Sequence, residues 1–207
     1  MIRKLPIFFL IEASKSMKGA PILGVENCLN LFLNKIKKDP WAIESVYVSI
    51  ISYKNNQATL LLPLTELIEI VLPKIECAGI SNLNIAINFL LKQYLVDYKK
   101  PSIEERGDYK PMLFILTGIA PYEEINEENI NFLNNSFSDG WQNSYAMSIE
   151  EKENKKIDIQ NNKIKNVQIL TFSNEYVQKW YGKYFENIVN IEQVDEIYFN
   201  QFFKLTS

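Results

Sequence analysis

Short apolar runs bounded by polar residues alternate along this chain with longer stretches whose apolar residues recur at helical spacing. Residues 5–11 are almost continuously apolar, as expected of a strand buried on both faces. Residues 45–53 (Ser-Val-Tyr-Val-Ser-Ile-Ile-Ser-Tyr) are rich in β-branched and aromatic side chains. Residues 59–62 follow so closely that they can pair only antiparallel, through a tight connection at Lys54-Asn55-Asn56. Residues 112–116 and 167–172 read as further short buried strands, and 187–191 as a weaker sixth. Residues 21–38 place Ile22, Val25, Leu29, Phe32, Leu33 and Ile36 on one helical face. Residues 81–96 repeat that spacing, with Ser81 as the expected N-cap. Helices are also expected over 123–134, 174–185 and 194–203.

This order predicts one α/β domain spanning 1–207: a doubly wound, mostly parallel sheet of about six strands, one short antiparallel edge strand, and helices on both faces. Residues 136–165, rich in Asn, Lys, Glu and Ser, interrupt the alternation and read as an inserted surface loop. Ligands of such sheets bind beyond the carboxyl ends of the strands, at the switch point, here the end of the first strand.

Composition narrows the function. The chain has no histidine, which removes Ser–His–Asp, Cys–His and ordinary zinc catalysis. The formal net charge of −3 argues against a nucleic-acid partner. The basic cluster Lys35, Lys37 and Lys38 fits the last turn of a helix. Cys28 and Cys77 lack ligand or redox spacing and read as free thiols. The apolar start is short, contains Pro6 and ends in Glu12, unlike a signal peptide, and no run suffices for a membrane span. A cytoplasmic protein with no membrane partner is expected.

Candidate chemistry centres on Glu12-Ala13-Ser14-Lys15-Ser16, directly after the first strand. A carboxylate and two hydroxyls at alternate positions set three hard oxygen ligands where a strand empties onto a loop. A carboxylate pair of Glu12 with Glu123 or Glu124, a Ser14 nucleophile without a histidine base, and an anion site at the helix opening 78–82 all lack supporting motifs.

These residues resemble the von Willebrand factor A (VWA) family, whose Asp-x-Ser-x-Ser motif, a Thr from a second loop and an Asp after the fourth strand form a metal-ion-dependent adhesion site. The sequence is most similar to bacterial cytoplasmic members associated with tellurite resistance. The fragments that carry the likeness include Ser16-Met17-Lys18-Gly19-Ala20-Pro21-Ile22, Lys38-Asp39-Pro40-Trp41-Ala42, Leu62-Pro63-Leu64-Thr65-Glu66-Leu67 and Gly107-Asp108-Tyr109-Lys110-Pro111-Met112. Carried over by this resemblance, the metal ligands are Glu12, Ser14, Ser16 and Ser81, with Glu12 in place of Asp, Ser81 in place of Thr, and Gly118 in place of the second Asp. The implied site is degenerate: Mg²⁺ would bind weakly and no cofactor is expected. Glu12 accepting from Ser14, Ser16 and Ser81 as a metal-free polar plug is one alternative; Glu12 capping the following turn is another; Glu123 or Glu124 as a substitute acid is a third.

The expected role is a non-enzymatic protein–protein interaction module of a stress-response, tellurite-resistance-type or defence system. Docking would use Glu12, Lys15, Ile80, Ser81, Ile119 and Tyr122. The resemblance implies partners such as a protein kinase, a PP2C-type phosphatase or other tellurite-resistance-type components. The competing readings are a small-ligand- or nucleotide-binding enzyme on the same fold, and an inactive scaffold paralogue.

Overall fold

A computed structural model describes residues 3–137, 163–172 and 175–194. The elements are β1 (Leu5–Glu12), α1 (Ala20–Ile36), α2 (Pro40–Ser45), β2 (Val46–Lys54), β3 (Gln57–Glu66), α3 (Leu83–Asp97), β4 (Met112–Thr117), α4 (Glu127–Ser136), β5 (Ile164–Thr171), α5 (Glu175–Tyr181) and β6 (Phe185–Asn190). Among the described residues the six strands form one sheet in the order β3-β2-β1-β4-β5-β6. All neighbours are parallel except the β2–β3 hairpin. This is the expected doubly wound sheet with an antiparallel edge, and β1 sits at the switch point between β2 and β4.

Alternation along β1 builds the core. Leu5, Ile7, Phe9 and Ile11 face one layer, with α1 and the 67–77 segment. Phe8 and Leu10 face the other, with α3, α4 and α5. Phe9 stacks on Phe114 at 5.2 Å and meets the edge of Phe32 at 5.0 Å, which pins α1 to the central strands. Each such pair contributes about 0.5–1.5 kcal/mol beyond its buried area. The predicted stripe of α1 (Ile22, Val25, Leu29, Phe32, Leu33, Ile36) is buried. Pro21 occupies the first turn, where its missing N–H costs nothing.

Several boundaries differ from expectation. The N-cap of α3 is Asn82, whose side chain accepts from Ile85 N–H; Ser81 is spent elsewhere. β3 is longer than 59–62, because an edge strand tolerates Pro63 and partial exposure. Helix α2 was not expected, although Asp39 before Pro40 is a strong start signal: its Oδ1 accepts from Trp41 and Ala42 N–H groups. Helix α4 starts at Glu127, where Asn126 caps it. Helix α5 stops at Tyr181, since Phe185 already begins β6. Of the expected insert, Ser136 ends α4 and Ile164 and Lys165 open β5; 138–162 lie outside the described residues. The helix expected over 194–203 also lies outside them, apart from Val194, which is not helical.

Candidate functional site around a buried carboxylate

Glu12 ends β1 and is fully buried. Three chain segments converge on it. After β1 the chain turns over, and Ala13 and Lys15 pair with the 78–79 backbone: Ala78 N–H to Ala13 C=O at 2.9 Å, Lys15 N–H to Gly79 C=O at 2.8 Å. Gly79 takes φ +57°, a conformation that favours glycine, and a Cβ there would push the Asn55 side-chain oxygen out of its place. The pairing delivers Ser81 to the carboxylate. The third segment is the end of β4, in register beside β1.

Five donors saturate the carboxylate. Oε1 accepts from Ser14 Oγ at 2.6 Å and Ser81 Oγ at 2.9 Å. Oε2 accepts from Thr117 Oγ1 at 2.7 Å, Gly118 N–H at 2.9 Å and Ile119 N–H at 3.3 Å. Ser16 Oγ does not reach Glu12 directly but meets Ser14 Oγ at 2.7 Å. The network extends inward: Tyr181 hydroxyl donates to Thr117 Oγ1 at 3.1 Å. Burial, then the nearby Tyr181 and Glu12, push the Tyr53 phenol well above its ordinary range. Burial likewise raises Tyr181. Ser14, the N-cap of the Lys15–Met17 3-10 turn, makes no side-chain cap bond because its hydroxyl is turned to Glu12.

A dication fits this arrangement poorly. Mg²⁺ demands octahedral oxygen geometry, and one carboxylate with three neutral hydroxyls under-neutralises it. That carboxylate is already engaged by the five donors. At Gly118 a Cβ would stand 2.5 Å from Met17 Sδ, so the fully buried Met17 fills the room a second acidic side chain would need. Neither candidate substitute acid touches Glu12. Glu123 accepts from Asn82 Nδ2 at 3.2 Å; Glu124 holds Lys183 at 3.1 Å and the Tyr184 hydroxyl. Among the described residues, no group of three or more acidic or cysteine side chains could hold a metal.

The residues expected to meet a partner divide. Lys15, Ile80 and Tyr122 are exposed, Ile80 by 53% and Tyr122 by 80%. Ile119 is half-buried; Glu12 and Ser81 lie beneath the surface. The hollow directly at Glu12 has no room for a water molecule. Beside it opens a pocket of about 190 Å³ between the 80–84 and 121–123 segments.

No protein-family model matches the chain, and no curated protein matches its sequence. Solved structures do match its shape. The VWA domain of SpRpn10 aligns over 96% of this chain and 95% of its own, at 11% identity and TM-score 0.50. The fold is that of a von Willebrand factor A domain. Proximal thread matrix protein 1 of the mussel byssus aligns over 99% of this chain but 46% of its own, at 10% identity and TM-score 0.54. Another structure of that mussel protein, at 11% identity and TM-score 0.51, has a zinc-occupied metal-ion-dependent adhesion site. In the present VWA fold the end of the sheet beyond β1 carries the Glu12 network.

The structure brings together Glu12, Ser14, Ser16 and Ser81, which the sequence grouped, and adds Thr117, Met17, Tyr53 and Tyr181, which it did not. Thr117 had a signal, as the hydroxyl closing the β4 run. Met17 and the tyrosines read only as apolar side chains.

Proposed function

We propose that this VWA-fold chain is a non-enzymatic protein-docking module that works through the loop face around Glu12 without a bound metal. The observation that carries the reading is the form of that face. Exposed Ile80 and Tyr122 flank a half-polar pocket of about 190 Å³, below the ~300–1,000 Å³ of sites for nucleotides and similar ligands. Large exposed apolar side chains around a half-polar dent suit protein recognition. The Glu12 network then serves as a rigid internal brace holding three segments in place. The sequence likeness to tellurite-resistance-associated proteins supports a place in a bacterial cytoplasmic stress-response or defence assembly, with a kinase or PP2C-type phosphatase among the candidate partners.

Site-specific photo-crosslinking in the native host tests the reading. A crosslinker at Tyr122 should give a discrete protein adduct. One at Ile103, 99% exposed on the loop before β4 at the opposite end of the sheet, should not. The adduct should survive EDTA. Equal adducts at both positions, or none at Tyr122, would refute docking by this face; loss with EDTA would refute metal independence.

A further inference from the structure

The pocket beside Glu12 has a chemical bias. Its floor is Ser81 and Leu83, both nearly buried, and its rim includes Ile80, Tyr122 and Glu123. The remaining polar wall is amide, from Asn56, Asn82 and Asn84. One carboxylate and no cation line it. Glu123 is exposed, makes no ion pair with any described cation, and accepts only one described hydrogen bond, from Asn82. Its neighbour Glu124 is different, being neutralised by Lys183. Asn84 is committed to structure, since its Oδ1 accepts from Asn126 N–H and from Asn129 Nδ2. The lysines of this end do not line the pocket: Lys15 and Lys18 lie on the β1–α1 turn, and Lys54 donates to Glu76 C=O.

We infer that this pocket receives a basic side chain of the docking partner, arginine in preference to lysine, between Glu123 and Tyr122. This deepens the docking reading and rests on it. A guanidinium offers a planar fork to the free lone pairs of the Glu123 carboxylate and a face to the Tyr122 ring; an ammonium offers only the first. Donors left over find the carbonyl oxygen of the Asn56 side chain within the same lining. The exposed acidic residues that follow, Glu127 and Glu128, extend the negative field beyond the pocket and favour a basic segment around the anchoring residue. An acidic anchor would gain from the N-terminus of α3, which carries about half a positive charge, but would meet the full charge of Glu123 as a like charge.

The probe is N-acetyl-L-argininamide, titrated into the ¹⁵N-labelled full chain at matched ionic strength, with the lysine and glutamate analogues alongside. Arginine should give saturable shifts at Ile80, Tyr122, Glu123 and the Asn82 side-chain amide, lysine weaker ones, and glutamate none. Glu123→Gln should weaken arginine binding about tenfold, the loss of a charged hydrogen-bond partner. Tyr122→Ala should weaken it about two- to fivefold. Both positions are exposed, so neither variant threatens the fold. Absence of saturable shifts, equal binding by Glu123→Gln, or a glutamate analogue that matches arginine would overturn the inference. If arginine is silent while the Tyr122 crosslink forms, the pocket assignment fails and docking stands. Arginine binding with no crosslink supports the pocket chemistry and overturns docking.

Discussion

Removing the Glu12 carboxylate should be costly in a way that depends on what replaces it. Glu12→Ala strands two backbone donors, Gly118 N–H and Ile119 N–H, which have no hydroxyl freedom to turn elsewhere. A fully buried orphan costs about 1–3 kcal/mol, and these two are part-buried, so the loss is up to about 2–6 kcal/mol before any cavity contribution. The hydroxyls recover more easily: Ser14 keeps Ser16 at 2.7 Å, and Thr117 Oγ1 can turn its proton from Glu12 to the Ile119 C=O, 3.1 Å away. Glu12→Gln is milder. Its amide oxygen can face the two N–H groups while its NH₂ faces Ser14 and Ser81, whose hydroxyls rotate to accept. Only charge assistance is lost, about 1–2 kcal/mol. Urea unfolding followed by tryptophan fluorescence should rank wild type above Gln and Gln above Ala, with unchanged m-values. Wild-type stability should not respond to millimolar Mg²⁺. A site saturated a hundredfold over its Kd would add about 2.7 kcal/mol. Wild-type-like stability of Glu12→Ala, or an Mg²⁺ gain abolished by Glu12→Gln, would refute the saturated-carboxylate account.

Restoring the acids of an intact site should fail while Met17 stays. Glu12→Asp with Gly118→Asp should be destabilised and calorimetrically silent to Mg²⁺, and adding Met17→Ala should recover binding; Mg²⁺ binding by the double variant would show that Met17 yields readily. Alkaline stability should fall steeply. Tyr53 and Tyr181 are raised above the ordinary phenol value of about 10, so above that pH the unfolded chain releases protons that the folded chain retains. The share these two tyrosines contribute is full below about pH 10 and falls above it by about 1.4 kcal/mol per pH unit for each, until the folded phenols themselves ionise; the raised Cys28 thiol begins its own loss from about pH 9. Tyr53→Phe and Tyr181→Phe together should make a urea-midpoint profile between pH 10 and 11 shallower, leaving the slope due to Cys28, Tyr47, Tyr94 and Tyr98, and an unchanged slope would refute the assignment.

The sheet was legible because its strands are buried on both faces or tightly linked. The run 5–11, the β-branched run 45–53 and the Asn55-Asn56 turn, with φ of 50° and 53°, each carry their geometry locally. Four members of the Glu12 network were legible because they stand at strand and helix ends in a recognisable spacing. The rest was hidden for physical reasons. That Thr117 and the 118–119 amides saturate Glu12 depends on β1–β4 register, a contact 105 residues distant. That Met17 fills the volume beside Gly118 is a packing fact with no pattern in sequence. Ser81 was misread as a cap because a hydroxyl before a helix satisfies either role, and Asn82 was equally able to cap.

The separations within the Glu12 network also set the order in which this end of the molecule can be completed. Ser81 lies 69 residues from Glu12 and Thr117 lies 105, so the carboxylate's partners belong to late-arriving chain. At about 5–20 residues per second, a ribosome delivers Thr117 on the order of 5–20 s after Glu12. Until then the charge must stay hydrated and the β1 terminus cannot close over it. On the proposed docking reading, recognition by this face is therefore confined to chains whose central strands have already joined, and a truncated or half-folded copy has no completed face to offer.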